Sequence, residues 1–554
     1  MTHRLTVLAT TDVHGTVLNW DYYADRPFTD REQGLAQLAT VVERRRAELG
    51  HRNVVLVDNG DTIQGTPLNT YFAQQEPISQ THATHPLAAA FNAMRYDAVN
   101  LGNHEFDHGF EHLHWWDVRL DAPVLGTNLS RPDGSGAGFQ QYLQLDRRLG
   151  GVPIRIGLLG LTTPGAMVWN RHHLESEQVV IEDMVECAHR WVPRLRDEYG
   201  CDLVIVLCHA GIGTSSYASG TDLPPENPAA DIAAEVPGID LMVIGHTHRD
   251  VPEQLITCRD TGLPVLLTQP RAHAAGLTET TLELEHTDDG WQLLSATATS
   301  HPAAGEQPHP GVVAAVAEAH EKTRAHVNQQ VAVSPRRMGT EEATWRATEA
   351  IAFVQHVQAS TVAQALAGTP AAALPVVSLT AVTSRTAALP EGAVSIRDIA
   401  GLYVFDNTLA AVELTGAELR AHLEHSARYY ADLPEGTVFD PATMTGATRD
   451  GVTIWDYQYD MAHGVDYEID LHRPVGQRIV ELRHPDGRAV ADDDRFAVAL
   501  NHYRLSGAGG YRQVAAAPVL YNDMRDIRQL LVDHARSHGV EVGFRENWRL
   551  RGER

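Results

Sequence analysis

Asp97-Ala-Val-Asn-Leu101-Gly-Asn103-His104-Glu-Phe-Asp107 decides the fold. Its first half is a short apolar run that reads as a buried strand; its second turns polar at once, with an amide, an imidazole and two carboxylates in five residues. The same sequence of strand then donors recurs at four other places. Leu5-Thr-Val-Leu-Ala precedes Asp12-Val-His14, and Asn53-Val-Val-Leu-Val precedes Asp58-Asn-Gly-Asp61. Leu203-Val-Ile-Val-Leu runs into Cys208-His209, and Leu241-Met-Val-Ile into Gly245-His246-Thr-His248. Helical patterns alternate with these strands over the first 300 residues, as in Leu35, Leu38, Ala39 and Val42 with Gly50 as the stop. That alternation predicts a layered α/β domain. Ligands of such folds bind beyond the carboxyl ends of the strands, so clusters nearly 240 residues apart can meet at one site.

The candidate metal ligands are Asp12, His14, Asp61, Asn103, His209, His246 and His248. Mixed carboxylate, amide and imidazole donors suit borderline divalent ions such as Mn, Zn, Fe, Co or Ni. Seven groups are too many for one ion and right for two that share a bridge. Two metals about 4 Å apart clamp an in-line phosphoryl displacement.

With these motifs, residues 4–285 resemble the calcineurin-like metallophosphoesterases, and within them the two-domain 5′-nucleotidase and cyclic-phosphodiesterase group. The resemblance implies a layered α-β-β-α catalytic domain with two divalent metal ions. Asp12, His14, Asp61 and His248 would hold the first ion, and Asp61, Asn103, His209 and His246 the second, with Asp61 as the bridge. A hydroxide between the ions would be the nucleophile. His104 and Asp107 match the family's catalytic pair, the histidine facing the leaving-group oxygen and the aspartate orienting it. Asn128, in Gly-Thr-Asn128-Leu, matches a segment near the nucleotide. Some relatives place Gln where this chain has His248, which leaves the metal count intact and the choice of metal open.

Pro302, Gly305 and Pro308 mark a boundary, so residues 1–305 are expected to form the catalytic domain, 306–336 a helical linker and 337–554 a smaller α+β domain. The second domain resembles the group's nucleotide-binding domain. Tyr403-Val-Phe405-Asp-Asn407 and Asn501-His-Tyr503-Arg-Leu-Ser-Gly507-Ala-Gly-Gly510-Tyr carry that likeness, the latter in the form seen in bacterial 2′,3′-cyclic-nucleotide 2′-phosphodiesterase/3′-nucleotidases. By it, Phe405 and Tyr503 would sandwich a base, Asn407 and Arg385 would reach the substrate, and Gly507 would let the backbone approach it. The expected activity is opening of 2′,3′-cyclic nucleotides to 3′-nucleotides, then release of nucleoside and phosphate. A broad 5′-nucleotidase or UDP-sugar hydrolase is the enzymatic alternative, and a non-catalytic nucleotide-binding protein the alternative of another class.

Composition narrows the partners. The 554 residues suffice for two to four domains, and 44 basic against 71 acidic residues give a net charge of −27. That balance disfavours a nucleic-acid polymer or an anionic membrane, and a small nucleotide is the expected partner, with no obligate protein partner evident. Two divalent ions against Asp12 and Asp61 would leave the centre positive by about two charges, enough to attract one phosphate locally. Four cysteines without CxxC spacing, no signal peptide and no membrane-spanning run lead to the expectation of a reduced, cytoplasmic protein.

Overall fold

Thr2–Thr10, Val54–Asp58, Ala98–Asn100 and Val124–Leu125 lie side by side in parallel, and the hairpin Gly276–Thr287 and Gly290–Pro302 extends their sheet antiparallel from Thr2–Thr10. A second six-stranded sheet runs in the order Val251–Thr257, Pro264–Gln269, Leu241–Ile244, Leu203–His209, Val152–Thr162, Leu143–Leu149, with its four central strands parallel. The computed structural model describes residues 2–551 except 214, 216–222, 289, 406, 435, 450, 506 and 524.

Side-chain alternation explains why the strands read as unbroken apolar runs. Leu5, Val7, Ala9, Val55 and Val57 pack between the sheets against Ile156, Leu158, Ile205 and Val243. Leu8, Val54 and Leu56 face the other way, under the helices Leu35–Leu49 and Pro86–Met94. On the second sheet Leu203, Ile205 and Leu207 point inward, while Val204 and Val206 pack beneath Met184–Pro193 and Ala229–Glu235. Strands buried on both faces carry no polar stripe. The result is the expected α-β-β-α layering, with all parallel strands ending on the same side.

Among the described residues, those up to Arg324 belong to this first unit and those from Ala325 to a second. Within residues 306–336 the helix is Pro310–Val327. It is no free-standing connector: Val312 and Val316, one turn apart, enter the first unit's core, the Tyr22 hydroxyl meets His320 Nδ1 at 2.9 Å, and Arg324 Nε donates to Asp25 Oδ1 at 2.8 Å. The second unit is the smaller α+β body, a five-stranded sheet ordered Asp460–His463, Val376–Ala381, Arg495–Asn501, Leu409–Thr415, Val519–Tyr521, plus a three-stranded one. It also holds the long helix Glu349–Leu366; Thr348 Oγ1 accepts from Ile351 N–H and sets its start. The four cysteines are buried and unbridged, and among the described residues no helix is long and apolar enough to cross a membrane.

Candidate metal centre

The loops after three strands, Thr2–Thr10, Val54–Asp58 and Leu241–Ile244, hold residues in conformations that ordinary residues avoid. Asp12, His14, Asp61, His246 and His248 all have positive φ, between 47° and 68°, although none is glycine. Such backbone costs of order 1–3 kcal/mol per residue and persists only where the surroundings impose it. Here the surroundings are hydrogen bonds and two touching glycines. The Glu105 carboxylate, fully buried, accepts the backbone N–H groups of Asp61 at 2.8 Å, Thr62 at 2.6 Å and Gly102 at 2.6 Å, joining the loop after Val54–Asp58 to the loop after Ala98–Asn100. Asp58 accepts from Thr10 and Thr62 hydroxyls and from Gly60 N–H, and burial pushes its carboxyl up to about 7. Asn59 and Asn100 close the gap between the sheets: Asn100 Nδ2 donates to Asn59 Oδ1 and Leu161 O, and Asn59 Nδ2 to Cys208 O. A Cβ on Gly60, whose φ is 92°, would lie 2.2 Å from Gly102 N. Gly60→Ala should therefore lose about 1–3 kcal/mol of stability or more, read as a lower urea midpoint; an unchanged midpoint would show that the two loops can part.

On this frame the side chains form two groups of three, Asp12 with His14 and His248, and Asp61 with His209 and His246, the donor atoms of each group lying within 4.8 Å of one another. His14 Nε2 faces His248 Nε2 at 3.0 Å, and His248 Nε2 lies 3.4 Å from Asp12 Oδ1. His209 Nε2 is 3.0 Å from Asp61 Oδ2, which His14 Nε2 approaches to 4.0 Å. The far nitrogens are anchored: His209 Nδ1 donates to Asn59 O at 2.7 Å, His14 Nδ1 pairs with Gln64 Oε1 at 3.1 Å, and His246 Nε2 with Glu226 Oε1 at 2.8 Å. Fixing one ring nitrogen aims the other, the arrangement seen around ligating histidines.

The chemistry of this donor set fits divalent cations. Asn103 Oδ1 is a buried acceptor without a donor. Burial alone would raise the Asp12 and Asp61 carboxyls, but the imidazoles beside them outweigh it and hold both well below the usual carboxylate range. Burial likewise opposes charge on His209, yet Asp61 pushes that imidazole up to about 9, while burial and His248 push His14 down to about 3. The histidines beside these carboxylates are the partners that favour their charged form, and a divalent ion would take the place of the imidazole protons.

His104 and Asp107 stand beside this centre. His104 N–H donates to Asp61 Oδ1 at 2.8 Å, and His104 Nδ1 meets Asp107 Oδ2 at 2.7 Å. Burial works against the imidazolium, but Asp107 and then Asp61 push His104 up to about 10. About a third of its side chain, 37%, is exposed, so the ring can meet a ligand.

Residues 5–250 match the calcineurin-like phosphoesterase family, and residues 325–516 the 5′-nucleotidase C-terminal domain. A crystal structure of a calcineurin-like phosphoesterase from Bacillus subtilis is 30% identical, with a TM-score of 0.52; it covers 59% of this chain, and 100% of it is matched. The chain belongs to the calcineurin-like phosphoesterases. A trifunctional nucleotide phosphoesterase protein of B. subtilis is 28% identical over 96% of this phosphoesterase, which spans only 38% of that relative. A 2′,3′-cyclic-nucleotide 2′-phosphodiesterase/3′-nucleotidase of Haemophilus influenzae is 28% identical over 99% of the chain and 87% of the relative. A 5′-nucleotidase precursor from Thermus thermophilus, 20% identical with a TM-score of 0.62 over 99% of both chains, shares the fold. Membership implies divalent ions, and the two donor groups are where the phosphoesterase could hold them.

The second unit of the phosphoesterase places its candidates less uniformly. Phe405 is 41% exposed, its ring edge-on to Tyr457 at 5.7 Å. Tyr503 is half-buried beside the Arg504 guanidinium, 5.4 Å from its ring, and Asn407 Nδ2 donates to the Tyr403 hydroxyl at 3.2 Å. Gly507 has a φ of 82° and is buried. Arg385 is paired with Asp456 and Tyr429, which occupies its guanidinium within the unit. Asn128, in the first unit, corrects the expectation of a nucleotide contact: it is fully buried, donates to Thr162 O and Glu182 O, and accepts Thr162 N–H, so its amide clamps backbone.

Three residues at the phosphoesterase site escaped sequence reasoning. His273 lies beyond the strand Pro264–Gln269, its ring 5.3 Å from His14 and 5.4 Å from His248. Glu226 anchors His246, and Asn170 Nδ2 donates to Asp107 Oδ1 at 2.6 Å. A sixth strand end was the one available signal, and it points only to His273.

Proposed function

We propose that the phosphoesterase hydrolyses nucleotide phosphoesters, opening 2′,3′-cyclic nucleotides to 3′-nucleotides and cleaving these to nucleoside and phosphate. The convergence of two three-donor groups on strand ends carries the reading, and the near-full-length relative named for this pair of activities supports the choice of substrate. Asp12, His14, Asp61 and His248 would hold one divalent ion, and Asp61, Asn103, His209 and His246 the other; Mn, Zn, Fe, Co and Ni all suit the donors. When bound, such a pair supplies an activated water and positive charge for the phosphoryl oxygens.

The chain's own residues supply the rest. In each round water adds to phosphorus, the ester P–O bond breaks, and the departing ribose oxygen takes a proton. His104 would give it: Asp107 engages Nδ1, so the transferred proton would be the one on Nε2. Phe405 and Tyr503 would stack on the base, each contributing on the order of 1–3 kcal/mol with little base preference; Asn407 and Gly507 lie in the same two segments.

Phosphate release by the Mn-loaded protein from 2′,3′-cyclic AMP, 3′-AMP, 5′-AMP and a UDP-sugar tests the reading. 3′-AMP should be dephosphorylated directly, and 2′,3′-cyclic AMP should yield 3′-AMP before phosphate appears. Faster release from 5′-AMP than from both would transfer the activity to the 5′-nucleotidases.

A further inference from the structure

We infer that Asn170 is a positioning residue of the leaving-group pair, holding the Asp107 carboxylate so that it can present His104. The inference rests on the phosphoester-hydrolysis reading above and adds a third member to its acid. The two oxygens of Asp107 are divided: Oδ2 faces His104 Nδ1 at 2.7 Å and Oδ1 receives Asn170 Nδ2 at 2.6 Å. A carboxylate held at one oxygen only can turn about its Cβ–Cγ bond; held at both it presents one oxygen to the ring and keeps the imidazole plane fixed.

Asn170 is itself immobilised. It is 4% exposed, its N–H closes onto Ala166 O at 2.8 Å, and its carbonyl receives Leu174 N–H at 3.1 Å, so it sits where one short helix, Ala166–Trp169, passes into the next, Arg171–Ser176. That helix is tied to the metal-centre loops from its start, because Thr163 N–H donates to His209 O at 3.2 Å and the Thr163 hydroxyl to Glu226 O at 3.0 Å. At its end the Trp169 ring lies over His246 at 5.4 Å. Asn170 Oδ1 has no hydrogen-bond partner and is buried. The amide has therefore been placed for its donor, at the expense of its acceptor, and the donor goes to Asp107.

A residue that acts through the acid should matter in proportion to how much the leaving group needs a proton. Ribose oxygen needs one; 4-nitrophenolate departs without. Asn170→Ala should lower kcat on 3′-AMP by roughly 10–100-fold, with KM nearly constant, and lower kcat on p-nitrophenyl phosphate far less. Asn170→Asp, equal in shape but with a carboxylate facing Asp107, should not restore the loss on 3′-AMP. Metal content and the thermal midpoint of each variant are measured alongside. Equal losses on both substrates, or full 3′-AMP turnover in Asn170→Ala, would overturn the assignment. His104→Ala serves as the reference: if it discriminates between the two substrates and Asn170→Ala does not, the positioning role fails while the acid stands. If His104→Ala itself does not discriminate, the acid reading falls and takes this role with it.

Discussion

His104→Ala is expected to lose about 10²–10⁴-fold in turnover on 3′-AMP and to keep its metals. The magnitude is that of a positioned general acid, and the geometry makes the acid separable from the donors. The residue is hydrogen-bonded to the centre through its backbone, His104 N–H to Asp61 Oδ1 at 2.8 Å, and that bond survives in alanine. The ring stands edge-on to His14, centroids 5.3 Å apart, but its hydrogen bond goes to Asp107, so its removal takes no hydrogen bond from a candidate ligand. The experiment is a steady-state assay with elemental analysis of the same sample. Turnover within about threefold of the parent would take the proton from another source, and a loss of metal would recast His104 as part of the cradle.

Asp61→Asn should do more damage, and of a different kind. Asp61 lies near both groups, with Oδ2 at 3.0 Å from His209 Nε2 and 4.0 Å from His14 Nε2. The asparagine keeps the size of the side chain and an acceptor for His104 N–H, so the fold and the acid are spared as far as a substitution can spare them. What disappears is one negative charge between two prospective cations. Several kcal/mol of transition-state stabilisation attend each metal, so turnover should fall by about 10³-fold or more, with bound metal falling too. Retention of two metal equivalents with activity within tenfold would show that Asp61 bridges nothing.

Much of the first unit was legible because its strands are buried on both faces. Val54–Asp58 and Leu203–His209 have no polar alternation to obscure them, and their donors stand at or just past the last strand residue, still buried. What could not be read is what depends on loop shape. Asn128 and Asn170 are both asparagines after short elements, yet one clamps backbone and the other an aspartate, a difference set by where the chain folds back and by nothing in the residue type. Asn59, Asn100 and Glu105 are equally silent in sequence, because a buried polar group declares itself only through partners distant along the chain. The helix Pro310–Val327 read as a connector since its length and the prolines around it are visible; the packing of Val312 and Val316 into the first core depends on a surface formed by residues far upstream. In the second unit the aromatic residues were nameable, but exposure separates Phe405 from Tyr403, which is 2% exposed, and sequence gives no sign of exposure.

The five donors with left-handed backbone carry a consequence for nutrition as well as chemistry. The cradle is set by Glu105 and by the glycine contact at residues 60 and 102, bonds and contacts of the chain itself. Borderline ions of similar size would then compete in part on availability. The metal found in a given preparation would record the medium in which the cells grew, making the ion's identity a matter of the protein's history.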